Sequence, residues 1–238
     1  MQARDVMSTP VISVTEDASV ADVARLLLSK GISGVPVLDA NGRLLGLVSE
    51  GDLVRRVESG TERTPSWWLR LFGDSEDQVR EYAKTHGRRV RDVMSREVAT
   101  VREDTPVAEI AELLERRRIK RVPVVRGTEV VGIVSRANLL QALASGRGRA
   151  SPIDAAGAPS DHSLKTRIED AMRRAGIDTA FVNVVVTDGT AYLWGAVRSE
   201  AQLDAARIAA ETAMGGTADV QSRLSVLPAS VQRVMWAE

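Results

Sequence analysis

The sequence predicts an α+β protein: two copies of one unit paired about a pseudo-twofold axis, with a smaller α+β domain after them. Three observations predict it. First, Asp5-Val6-Met7-Ser8 returns as Asp92-Val93-Met94-Ser95, Gly34-Val35-Pro36-Val37 as Arg121-Val122-Pro123-Val124, and Leu44-Leu45-Gly46-Leu47-Val48-Ser49 as Val130-Val131-Gly132-Ile133-Val134-Ser135. Two copies are too few for a solenoid, so they pair. Second, helical periodicity alternates with short β-branched runs inside each copy. Third, residues 145–162 turn to Gly, Ala, Ser and Pro, and a fresh helix and strand pattern begins beyond them. The predicted segments are repeat 1 at 1–56, an inserted connector at 57–91, repeat 2 at 92–145, a flexible linker at 146–162, the last domain at 163–228 and a tail at 229–238.

Each repeat reads strand, helix, strand, strand, helix. Val20, Val23, Ala24, Leu27 and Leu28 form one apolar helix face, and Gly31 stops that helix. In the second copy Thr105 is placed as the N-cap and Pro106 as the first helical residue, ahead of Val107, Ile110, Ala111 and Leu114. Residues 35–38 and 44–48 form a hairpin around Asn41-Gly42, and 122–125 and 130–134 form another turning near Gly127-Thr128. The connector holds Trp67, Trp68, Phe72 and Tyr82, half of the chain's eight aromatic residues. Packing onto the repeat pair or its dimer mate is one reading of that patch, and partner or membrane-surface binding is the other.

Beyond the linker, Leu164, Ile168, Ala171, Met172 and Ala175 define an amphipathic helix ended by Gly176. Strands at 181–187 and 190–195 join through Asp188-Gly189, a primed two-residue turn. A helix over 199–214 ends at Gly215-Gly216, and Val220, Ser222, Leu224 and Val226 alternate as a final strand. Helix, strand, strand, helix, strand is a compact α+β arrangement.

Composition narrows the function. There is no cysteine, so thiolate metal sites, disulfides and cysteine nucleophiles are excluded, and His86 and His162 are the only imidazoles. The 32 basic and 32 acidic side chains cancel, and they nearly cancel within each segment too. Nucleic acid is therefore not an expected partner. No stretch has the length and apolarity of a signal peptide or a membrane span, which points to a cytoplasmic protein. No phosphate loop of the GxxxxGK type, HExxH or paired catalytic group stands out, so the expected protein is not an enzyme. Gly46 and Gly132 are read as glycines of strand packing.

The repeat residues resemble a tandem pair of CBS domains, the module named after cystathionine β-synthase. Asp-Val-Met-Ser opens each copy, Val-Pro-Val forms each middle strand, and Gly-Leu-Val-Ser-Glu-Gly-Asp-Leu or Gly-Ile-Val-Ser-Arg-Ala-Asn-Leu closes it. The resemblance implies clefts that take adenine-containing ligands. It places the ribose on Ser49 and Asp52 and, in the second copy, on Ser135 and Asn138, a carboxylate being suited to a vicinal diol. Asn138 lacks the charge of Asp52 and accepts more weakly. Phosphates fall to Lys120, Arg121 and Arg136, and the base to Gly34, Val35, Pro36, Val122 and Pro123. Two alternatives stay open: Asp52 as N-cap of a helix starting at Leu53, and the basic run Arg116, Arg117, Arg118, Lys120 and Arg121 as complement to a helix C-terminus.

Residues 163–228 resemble a BON domain, carried by 182–186, Asp188-Gly189-Thr190, Leu193-Trp194-Gly195-Ala196-Val197, Gly215-Gly216 and 220–226. Members associate with phospholipid or protein surfaces. A slight acidic excess here speaks against anionic lipid, and Trp194 is expected beside the hairpin, so a protein partner is favoured over a membrane surface. Two functions follow from the resemblances. One is a regulatory sensor that binds AMP, ADP or ATP, ahead of S-adenosylmethionine or NADH, needs no cofactor and relays binding to the BON domain or a partner. The other is a dimeric adaptor with no physiological ligand. Either is expected to be a homodimer.

Overall fold

The computed structural model describes residues 1–54, 88–145, 160–215 and 219–227. The aromatic connector with Trp67, Trp68, Phe72 and Tyr82, as well as His86, linker residues 146–159, Gly216 and the tail, lies outside the described residues. The described chain divides into two bodies: residues 12–98, and residues 1–11 together with 99–232.

In the first body α2 (Val20–Lys30) is capped by Ser19, whose Oγ accepts the Asp22 N–H at 3.0 Å, and Gly31 ends it at φ 59°. Strands β1 (Val14–Thr15), β2 (Gly34–Leu38) and β3 (Leu44–Ser49) form one sheet, β1 parallel and β3 antiparallel to β2. The hairpin turns at Gly42, φ 77°, with Asp39 Oδ1 accepting the Asn41 and Arg43 N–H groups. Helix α3 (Glu50–Val54) follows β3 directly. Val23, Leu27, Val35, Val37 and Val48 build the core, and Val90, Val93 and Met94 join it from α4 (Val90–Val93), another short helix.

The second body repeats this plan with the matching exchange. Here β4 (Val101–Arg102), β5 (Arg121–Arg126) and β6 (Glu129–Ser135) form the sheet, α5 (Val107–Arg116) covers it, and α6 (Arg136–Ala144) follows β6. Its core of Ile110, Leu114, Val122, Val124 and Val134 takes in Ala3, Val6 and Met7 from the first turns of the chain, α1 (Ala3–Val6). Each Asp-Val-Met-Ser segment therefore packs with the repeat it does not precede: Ala3 N–H donates to Thr105 O at 2.8 Å, while Val90 N–H donates to Ala18 O at 3.0 Å. A repeat of sequence and a packed body are different residue sets. Within the connector, Arg89 bridges to Ser19.

Three local expectations are corrected. Leu28 is 70% exposed and Ala111 is exposed, with Leu26 and Leu113 packing against the cores instead, because the buried face of each helix is rotated toward its other flank. Thr105 does not cap α5; its Oγ1 accepts the Arg102 N–H at 3.0 Å and closes the preceding turn, leaving Pro106 at the cap position. The last helix of the linker boundary, α7 (Asp161–Arg174), starts inside the span read as linker, because Ser160 accepts the Ser163 N–H and caps it.

After α7 come a 3₁₀ turn (Thr179–Phe181), β7 (Val182–Thr187), β8 (Thr190–Val197), α8 (Glu200–Ala213) and β9 (Val220–Val226). Phe181 thus belongs to the turn and not to the strand. β8 lies between antiparallel β7 and parallel β9, and Asp188 and Gly189 both take positive φ, 50° and 75°, as a primed turn requires. Leu164, Ile168 and Met172 from α7, Val184 and Leu193 from the sheet, and Ala206 and Ala210 from α8 form this core. β7 is buried on both faces. Val182, Val184 and Val186 enter the core just named, while the face with Asn183, Val185 and Thr187 meets α1 and α6.

Candidate functional site

In the first body β2 and β3 pair so that Gly34 stands opposite Ser49 and Val35 opposite Val48. Ser49 ends the strand, and the chain turns into α3. Asp52 Oδ2 accepts both the Ser49 N–H at 2.9 Å and the Ser49 hydroxyl at 2.7 Å. Asp52 is therefore the third residue of α3 reaching back, and not the N-cap of a helix starting after it. Its other oxygen, Oδ1, has no partner among the described residues, and the side chain is half-buried.

The second body builds the same turn with a different result. Arg121 stands opposite Ser135, and Asn138 Oδ1 accepts the Ser135 N–H and hydroxyl at 2.8 and 2.7 Å. The Asn138 amide then donates to Ser8 Oγ at 3.0 Å, and the residue is only 4% exposed. Both ends of the carboxamide are spent inside the protein. Lys120 is exposed and its carbonyl accepts the Arg136 N–H at 3.0 Å, so the basic residues Lys120, Arg121 and Arg136 gather at the start of α6.

The expected base contacts differ in kind from the expectation. Val35 and Val122 are fully buried members of the two cores, so their side chains pack the repeats and present no surface to a ligand. Pro36 and Pro123 are buried as well. Gly34 is buried beside Ser49; a Cβ there would lie 2.8 Å from Val48 O, so a side chain at this position would force the strand pair to shift. Two surface hollows of about 450 and 420 Å³ open on the second body, beside Arg102, Glu109 and Arg116 and beside Arg4, Glu103 and Arg126. None of the predicted nucleotide residues lines either one.

Sequence reasoning missed Ser8, Lys165 and Glu169. The recurrence of Asp-Val-Met-Ser signalled that Ser8 mattered, but its partner is 130 residues away. Lys165 sits on the apolar face of α7, only 3% exposed, and its ammonium donates to the carbonyls of Met7 at 2.8 Å and Asp5 at 3.2 Å. Glu169, 3.9 Å from that ammonium, accepts from Thr9 Oγ1 at 3.3 Å. Burial drives both groups toward their neutral forms, lowering the Lys165 pKa and raising that of Glu169, against their mutual attraction. A lysine among Leu164, Ile168 and Met172 is the sequence signal, visible once the helix is drawn.

Comparison with known proteins completes the picture. The CBS domain matches residues 3–59 and 90–145, and the BON domain matches residues 160–228. An uncharacterized protein of Methanocaldococcus jannaschii is 33% identical over 157 residues, 60% of this chain and 91% of that protein. The chloroplastic CBS domain-containing protein CBSX2 of Arabidopsis thaliana is 32% identical over 139 residues, 54% of this chain and 57% of its own length. The crystal structure of CBSX2 in complex with AMP superposes with a TM-score of 0.53 at 29% identity, covering 60% of this chain and 97% of that one. Inosine-5'-monophosphate dehydrogenase of M. jannaschii is 26% identical over 186 residues, 75% of this chain and 32% of that protein. The chain belongs to the CBS domain family, as a tandem CBS pair followed by a C-terminal BON domain. Its fold class is α+β throughout. No helix among the described residues is long and apolar enough to cross a membrane.

Proposed function

We propose that the chain is a regulatory protein that binds an adenine nucleotide, AMP first among AMP, ADP and ATP, through its CBS pair and passes the signal to its BON domain or to a protein partner. The observation that carries this reading is Asp52: a half-buried carboxylate, pinned through one oxygen by Ser49, whose second oxygen has no hydrogen-bond partner among the described residues and is the proposed acceptor for a ribose diol. Support comes from CBSX2, whose structure is a complex with AMP. Asn138 has no acceptor to spare, so the proposal is one nucleotide per chain, held at Asp52.

The test is thermal. AMP at about 100 times its dissociation constant stabilises a protein by about 2.7 kcal/mol, and the wild-type chain should show a melting shift of that order. Asp52→Ala should remove it while leaving the unliganded melting temperature within a few degrees. No shift with AMP, ADP, ATP, S-adenosylmethionine or NADH would sink the sensor and leave the adaptor reading, in which a homodimeric platform presents the BON domain without a ligand.

A further inference from the structure

The BON domain is not a free appendage of the second repeat. Helix α7 grips the chain on both sides of Ser8, through Lys165 on the Met7 and Asp5 carbonyls and through Glu169 on the Thr9 hydroxyl. Asp5 is in the last turn of α1 and Met7 is its C-cap, so no further turn exists to satisfy their carbonyls. Ser8 itself is paired with Ile133, N–H to O at 2.9 Å and O to N–H at 3.2 Å, and its hydroxyl takes the Asn138 amide. At the other end of α6, Gln141 Oε1 accepts from Asn183 Nδ2 at 2.6 Å, and buried Ser145 Oγ accepts from Trp194 Nε1 at 3.1 Å. The domain thus holds α6 at its far end and the segment that closes its first turn.

The geometry points to the BON domain as an internal brake on the Ser135-Arg136-Ala137-Asn138 motif, applied through the hydrogen-bond chain from Lys165 to the Met7 carbonyl and from Ser8 to Asn138. While α7 holds this segment in place, Ser8 keeps the Asn138 amide and Ser135 keeps its oxygen, so the carboxamide has no acceptor to offer a ribose. An amine removed from water is costly unless its acceptors are in place, and moving residues 5–8 would take two of them away. Docked and undocked arrangements therefore differ by a connected set of contacts, which is what lets two sites bias one equilibrium. Asn183 Oδ1 and Thr187 Oγ1, both buried on the docked face of β7, have no hydrogen-bond partner among the described residues. Unsatisfied polar atoms oppose permanent closure of that face. By reciprocity, a ligand that took Asn138 from Ser8 would loosen the BON domain.

The inference rests on the nucleotide reading for the identity of the ligand, and its test separates the two. Amide hydrogen exchange is followed on the full chain for the wild type, Ser8→Ala and Lys165→Met. Coupling predicts that Ser8→Ala speeds exchange in α7 and β7 by roughly tenfold, that Lys165→Met does the same in the first turn of α6, and that β9 is unchanged in both. Changes confined to the side of each substitution would overturn the inference. Lys165→Met leaves a buried carboxylate without its cation and can unfold the domain, so Lys165→Met/Glu169→Gln repeats the comparison, with β9 exchange reporting an intact fold. Calorimetric titration with AMP then reads the brake: one equivalent per wild-type chain, and a second when Lys165 is replaced. An unchanged single equivalent overturns the brake. If AMP binds to neither protein, the nucleotide assignment falls, and the exchange comparison alone decides the coupling.

Discussion

Ser49 and Ser135 occupy matching strand ends and fold matching turns, yet what stands three residues later decides what remains for a ligand. A carboxylate has about four acceptor sites, and Asp52 commits two of them to Ser49. A carboxamide has one acceptor oxygen and one donor nitrogen, and Asn138 commits both, the nitrogen to a residue that enters from the start of the chain. The first difference was legible in the sequence as Asp against Asn. The second was not, because no local pattern reveals which hydroxyl will lie beside Asn138. Glu103 shows the same dependence on tertiary neighbours. Arg126 clasps it with two hydrogen bonds, 2.7 and 2.8 Å, and holds its carboxyl below the usual carboxylate range. A depressed folded pKa means a contribution present above the ordinary carboxylate value and lost as pH falls through the depressed one. Arg126 is 68% exposed, so solvent and salt screen the pair. Glu103→Gln should lower the melting temperature at pH 7 by no more than about 2–4 °C, with the difference from wild type closing as the pH is taken below about 4. A difference that widened in acid would contradict this account.

At the scale of elements, the strands, the helices α2, α5, α7 and α8, and the two glycine turns at Gly42 and Asp188-Gly189 all follow from periodicity and turn chemistry. The two short helices α1 and α4 do not. Each is one turn long, too short for a helical period to register, and each has the same Asp-Val-Met-Ser sequence, so local pattern cannot choose between the two cores. Packing settles the choice through the methionine that follows. Met94 lies over Gly46 and Met7 over Gly132, and Leu47 and Ile133 exchange backbone hydrogen bonds with Ser95 and Ser8 beside them. The packing at these glycines is tight, since a Cβ on Gly46 would stand 2.7 Å from Met94 Sδ and 2.9 Å from Ser95 O. The thioether can swing away, but the carbonyl belongs to a paired backbone. Gly46→Ala should therefore destabilise by about 1–3 kcal/mol in denaturant unfolding, the range for overpacking a close contact. A neutral effect would show that the segment bearing α4 is held more loosely than its hydrogen bonds imply.

At the scale of the whole molecule, a flexible linker rich in Gly, Ala, Ser and Pro left the placement of the BON domain open, whereas both faces of β7 are buried and one of them lies against α1 and α6. Composition reports what a linker permits and carries no information about the surfaces it joins. Docking covers one side of α6 and leaves another: Leu140 and Leu143, three residues apart and so on one face, are 65% and 60% exposed. Isolated exposed leucines are ordinary, but a pair on one helical face is a natural centre for an isologous contact, where each copy supplies the same residues to the other. A second copy of the chain is the expected cover. Light scattering at micromolar concentration should then give a mass near twice the 25.7 kDa of one chain. Full burial of one leucine side chain is worth about 1.5–3 kcal/mol, so Leu143→Glu, which forfeits that burial in both copies and sets two carboxylates against each other, should weaken the dimer by at least tenfold. The substitution lies on the exposed side of α6 and leaves Asn138, Gln141 and Ser145 untouched, so the melting temperature of the separated chain and its exchange in α7 should not change. A wild-type mass near 25.7 kDa would refute the dimer, and an undiminished dimer in Leu143→Glu would move the interface off α6.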